Sequence, residues 1–225
     1  MDITHDRLKD AHHLVYKFMQ EENISPAEYT YEKFVDFMVG KHGIAVKRVD
    51  FGEYLNTIFD GVIIGTKNKW RIHINETMIR TRQNFTLCHE LSHYIWDCDY
   101  GNKLAKITSL SGNNRNEYNS QSEIEYLANA SAGVMMLPDM CIRNSFKEKL
   151  TFGKMATKFK ISASALNFRL IQFLIYYTNC PVKYAQETVY KFRYGSNPED
   201  FLFFLKDEIF NTDYKIDNLF LNAVI

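Results

Sequence analysis

The sequence has no excess charge of either sign: 27 basic residues balance 27 acidic ones over 225 positions. No global field therefore recruits nucleic acid or anionic lipid, and any contact with DNA needs a local basic face. An uninterrupted apolar run is also missing from the first residues. MDITHDRLKDAHHLVYKFM mixes charge into its apolar positions, so neither a signal peptide nor a membrane span is expected there. Cysteine is sparse. Cys88, Cys98, Cys141 and Cys180 stand far apart with no CxxC pair, and free thiols in a reducing, cytoplasmic compartment are expected. Internal repeats and low-complexity runs are absent. What is present is 46% hydrophobic and 15% aromatic, enough for one substantial core and contrary to disorder.

Apolar spacing predicts the elements. Leu8, Ala11, Leu14, Val15 and Phe18 recur at helical intervals over residues 4–20. A second helix is expected from Pro26 to about Val39, with Gly40 after its end. IAVKRVDF (44–51) reads as a strand, and FDGVIIGTKNKWRIHIN (59–75) as a hairpin turning at Thr66 to Lys69. A helix should follow from about Thr81 or Asn84 to Trp96, with Asn84 able to cap it. Residues 99–121, rich in Asn, Ser and Gly, read as a mobile surface loop. Helix returns from Ser122 to about Met136, where Ser122 and Glu125 have capping-box spacing. Residues 152–177 suggest two helices broken near Lys160 to Ser162, and Asn197-Pro198 opens another through FLFFLKDEIF.

The string with the most chemical content is His89-Glu90-Leu91-Ser92-His93. Four residues advance a helix by about 400°, so both imidazoles share one face, roughly 6 Å apart at Cβ. That separation suits two nitrogens on one Zn²⁺ at about 2.0–2.1 Å. Glu90, one step round the helix, is placed to accept a proton from a zinc-activated water. A catalytic zinc needs three protein ligands and an open position. The third is expected from the later helix, where Glu123 and Glu125 compete. Glu125 is preferred because Asn129 follows one turn later as an outer support, and Ala128, Ala132 and Gly133 allow close helix approach. Mn²⁺ can substitute in vitro for such a His₂Glu set. Other conspicuous residues take ordinary readings: His12 and His13 as surface groups, His73 as a packing or exposed strand residue, Cys88 as a small buried thiol.

These residues carry a resemblance to the ImmA/IrrE family of metallopeptidases. TRQNFTLCHELSHYIWD (81–97) is similar to the family's HExxH segment, and EYLANASAGVMMLPDM (125–140) to its second, acidic segment. FGKMATKFKISASALNFRLIQF (152–173) resembles its helix-turn-helix-like stretch. The resemblance implies metal ligands at His89, His93 and Glu125, with Glu90 as the catalytic residue. It implies an α+β fold: a zincin-like core with a small mixed sheet over 1–145, a helix-turn-helix-like segment over 146–180 and a C-terminal extension over 181–225. On this resemblance the mobile-element type is expected, without the larger sensory domain of some members. Asn84, Ser92 and Ser131 depart from the family pattern without removing a ligand.

The implied activity is cleavage of a helix-turn-helix transcriptional repressor, a protein partner in bacterial cytoplasm. The alternatives are a DNA-binding regulator with a structural metal and a stoichiometric anti-repressor. Lys154, Lys158, Lys160 and Arg169 make 152–177 locally basic, and a DNA-reading helix there would expose Ser164, Asn167 and Arg169. The favoured reading packs this helical pair through Phe152, Met155, Phe159, Leu166, Leu170 and Phe173, since a neutral chain lacks the electrostatic footprint for DNA.

Overall fold

The computed structural model describes residues 3–66, 69–98, 105–110, 120–195, 197–207 and 211–224. The chain opens with α1 (Ile3–Glu21) and α2 (Tyr31–His42), then β1 (Ile44–Val49), the short α3 (Glu53–Asn56), β2 (Phe59–Thr66) and β3 (Lys69–Asn75). Next come α4 (Arg80–Trp96), β4 (Ala105–Leu110), α5 (Ser120–Met136) and α6 (Asp139–Lys147). The remainder is helical: α7 (Phe152–Lys158), α8 (Ala163–Thr178), α9 (Val182–Gly195), α10 (Glu199–Lys206) and α11 (Thr212–Leu221), closed by a 3-10 turn at Asn222–Val224. The fold is mostly helical with a small mixed sheet, as an α+β reading requires. It forms two compact units, Glu32–Ala132 and Met1–Tyr31 with Gly133–Ile225. No helix among the described residues is long and apolar enough to cross a membrane.

The sheet belongs to the first unit, in the order β1-β3-β2-β4. β1 runs parallel to β3, while β2 is antiparallel to both β3 and β4. Alternation along β3 buries Trp70, Ile72 and Ile74 and leaves His73 on the other face, away from them. Gly65 stands opposite Trp70, and a Cβ there would lie 2.3 Å from the indole. Only glycine leaves room for that ring.

The expected loop over 99–121 is corrected in its middle: Ala105–Leu110 is a strand. Ile107 and Thr108 supply β-branched residues, and pairing with β2 satisfies backbone groups that an open sheet edge would expose. Residues 99–104 and 111–119 lie outside the described ones. The second helix begins at Tyr31 and not at Pro26, because residues 25–29 form a turn tied by Ser25 Oγ donating to Glu28 Oε2 at 2.6 Å. It runs through Gly40 and stops before Gly43, whose φ of 63° is the left-handed conformation that ends helices. Asn84 does not cap α4; it is 1% exposed inside the helix, and Ile79 takes the cap position. α5 starts at Ser120, so Ser122 falls inside it and not at its cap.

In the second unit, Phe146, Phe192 and Phe201 meet at ring separations of 4.4 to 5.4 Å. All six apolar residues expected to pack α7 and α8 are buried. Thr151 and Ser162 cap these helices by accepting from the Lys154 and Ala165 amides. One reading is corrected here. His12 is not a surface group but 1% exposed, because Asp139 gives it a buried partner: Nε2 lies 2.7 Å from Asp139 Oδ2, and Nδ1 2.7 Å from Leu8 O. Arg169, which only the less favoured DNA-reading alternative would expose, is also 1% exposed. Its Nη2 pairs with Asp139 Oδ1, and its Nε donates to Leu137 O at 3.0 Å.

Candidate metal centre

α4 packs against β2, β3 and β4 and is buried on every face from Thr86 to Tyr94. An ordinary amphipathic helix would solvate its polar residues. Here His89, Glu90, Ser92 and His93 are all 4% exposed or less. Buried polar groups are costly without partners, so their surroundings have to be matched to them. β2 approaches closely at Gly61, where an added Cβ would lie 2.6 Å from Thr86 Cγ2 and 3.0 Å from Glu90 Oε1. That missing side chain is what lets the Glu90 carboxylate lie along the strand.

Among the described residues, His89, His93 and Glu125 form a group able to hold a metal ion, with ligand atoms all within 4.8 Å of one another. The two Nε2 atoms are 2.9 Å apart. The Glu125 carboxylate faces both, Oε2 3.2 Å from His89 and Oε1 3.3 Å from His93. On the far side of each ring, Nδ1 is held: His89 by Asn129 Oδ1 and His93 by Asp97 Oδ2, each at 2.9 Å. A carboxylate only accepts, so His93 Nδ1 is the donor, and Nε2 of the neutral ring carries its lone pair inward. The Asn129 carbonyl does the same for His89. Two inward lone pairs and a carboxylate cannot rest together without a cation among them. The donor set therefore fits a metal. Two nitrogens on one tetrahedral ion sit roughly 3.3 Å apart, a few tenths of an ångström more than seen.

Electrostatics agree. Burial alone would pull His93 down, but Asp97 and Glu125 outweigh it and hold its pKa at about 9. Burial alone would raise Glu125, but the two imidazoles bring it down to about 2. Without a metal the cluster holds a proton where the ion would go. A metal must displace that proton, so apparent affinity should rise about tenfold per pH unit up to about pH 9 and then level off. Competition with a chelator between pH 6 and 8 measures this slope. A flat profile would show that no proton has to leave the site in this range.

The structure brings together His89, His93, Glu125 and Asn129, with Glu90 beside them on α4. Glu123 is exposed and outside the group. His73 and Cys88 are also outside it, and Cys88 is a fully buried thiol. Asp97 was missed by sequence reasoning. Its signal was four-residue spacing after His93, the same interval that pairs the histidines. Asp97→Asn is expected to weaken metal binding by roughly 10–100-fold, the usual effect of losing an outer carboxylate partner. An unchanged affinity in the same chelator assay would show that Asp97 does not orient the ring.

A family model, Peptidase_M78, described as the IrrE N-terminal-like domain, matches residues 39–171. The matched span includes the sheet, α4, the cluster, α7 and the start of α8. No curated protein matches the chain.

Proposed function

Because the chain belongs to the Peptidase_M78 family of IrrE N-terminal-like domains, a metallopeptidase family, we propose that it is a zinc-dependent endopeptidase that cleaves a helix-turn-helix transcriptional repressor inside the cell. The observation that carries the peptidase reading is the convergence of two Nε2 atoms and one carboxylate within 4.8 Å, next to a buried glutamate. His89, His93 and Glu125 would hold the ion. Zinc, when bound, supplies Lewis acidity that polarises a scissile carbonyl and activates water as a nucleophile. Glu90 takes the proton of the attacking water and delivers it to the leaving amine. Its burial against Gly61 fixes the carboxylate and keeps bulk water from competing for that proton. Asp97 and Asn129 keep both rings in the tautomer that presents Nε2.

The repressor as substrate follows from the family resemblance of the sequence. The burial of Arg169 argues against the competing DNA-reading role, because the residue that would contact bases is spent on Asp139. Glu90→Gln separates chemistry from binding, since the amide has the same shape but cannot accept a proton. This variant should retain its metal and fold, and should lose cleavage of a co-expressed repressor by about 100-fold or more. If Glu90→Gln relieves repression as well as the parent protein does, the protein acts by stoichiometric binding and the proposal fails.

A further inference from the structure

Within the unit formed by Met1–Tyr31 and Gly133–Ile225, three helices line an open cleft of about 390 Å³. That volume lies in the range of small-ligand sites. α1 contributes His5 and Lys9, one turn apart, and α11 contributes Lys215 and Leu219, also one turn apart. The end of α8 supplies Tyr176 and Tyr177. No carboxylate lines it: Asp6 and Asp10, the acids nearest Lys9 in sequence, are not among the lining residues.

Lys215 Nζ donates one N–H to Tyr177 O at 3.0 Å, which fixes the ammonium at the end of α8. Its other two donors meet no acceptor among the described residues, and Lys9 makes no ion pair there. The aromatic wall beside them is itself packed, with His12 near-parallel to Tyr176 at 6.3 Å and Tyr177 edge-on to it at 4.8 Å. His5 stacks on Tyr176 with centroids 4.5 Å apart and planes 25° from parallel. Tyr177 is held from behind, its hydroxyl donating to the buried Asp139 at 2.7 Å. A wall already fixed by such contacts loses little freedom when something binds against it.

We propose that this cleft binds a small organic anion with a planar ring, either an aromatic carboxylate or a phosphate monoester. The ring lies against Leu219 and the outer edge of the His5–Tyr176 stack, and the anionic group is met by Lys9 and Lys215, which act as point charges able to bind either headgroup. The site shares no residue with the metal cluster and does not depend on the peptidase reading.

Calorimetric titration of the whole chain with adenosine monophosphate and with 1-naphthoate tests it, with adenosine and inorganic phosphate as the half-ligands. At least one of the two anions should saturate a single site with Kd on the order of 10–100 µM. The half-ligands should bind about tenfold more weakly or worse, because each lacks one of the two recognised features. A response to the nucleotide alone assigns the phosphate monoester, and a response to 1-naphthoate alone assigns the carboxylate. Lys9→Glu and Tyr176→Leu should each weaken binding by about tenfold or more. Lys154→Glu, a charge reversal on α7, and Glu90→Gln should leave it unchanged. If neither anion binds, or if Lys9→Glu and Tyr176→Leu bind as tightly as the parent, the proposal is overturned.

Discussion

Glu125→Ala should weaken zinc binding by more than the roughly 10–100-fold that follows loss of an outer partner, and it should abolish proteolysis. Glu123→Ala should do neither. The two carboxylates lie only two residues apart, but on a helix that is about 200° of rotation. Glu123 is exposed, whereas Glu125 bridges His89 and His93 at 3.2 and 3.3 Å. Removing Glu125 leaves two neutral donors facing a dication. The hard anionic ligand that neutralises part of its charge is gone, and two imidazoles hold zinc weakly. Glu125→Gln sharpens the test, because it keeps the volume and one acceptor oxygen but loses the charge. Its affinity should fall between those of the parent and the alanine variant. Competition against a chelator at a fixed pH ranks all three. If Glu123→Ala were the variant that lost metal, the ligand set proposed here would be wrong.

The site was legible because its chemistry is local. His89, Glu90 and His93 fall in five consecutive residues, and helical periodicity alone places both imidazoles on one face. Glu125 and Asn129 needed a second helix, yet their own one-turn spacing gave their register. The strand at Ala105–Leu110 was not legible, because a polar segment rich in Ser and Asn reads as loop until the open edge of β2 gives its backbone a partner. His12 was misread for a related reason. Sequence alone puts a histidine pair at the surface, and only Asp139, distant in the chain, makes the burial of His12 affordable. The start of α2 failed differently: Pro26 is a good first helical residue, but the turn made by Ser25 and Glu28 holds it outside the helix.

That buried cluster predicts the largest change in stability. Asp139 is 1% exposed and is the anion shared by two 1%-exposed basic groups, His12 and Arg169, with Tyr177 donating a further hydrogen bond. Asp139→Asn keeps the shape and removes the charge, leaving the guanidinium buried without its counter-ion. Breaking one partner from a buried ion pair costs about 3–5 kcal/mol, a large share of the roughly 5–15 kcal/mol that holds a domain together. The pH dependence has a definite sign. Burial alone would raise the Asp139 carboxyl, but His12 and Arg169 outweigh it and hold it well below the ordinary carboxylate range. A carboxyl with a depressed folded-state pKa contributes stability above its unfolded value of about 3.9 and loses it as pH falls toward the folded value. The parent protein should therefore keep this contribution down to about pH 4 and lose it progressively below. Denaturant unfolding across that range should show the gap between parent and Asp139→Asn narrowing with acid. Adding Arg169→Met to Asp139→Asn should cost less than the two single effects together, because the second change removes the charge that the first one stranded. Simple additivity, or a gap that does not move with pH, would mean that packing and not charge makes the cluster matter.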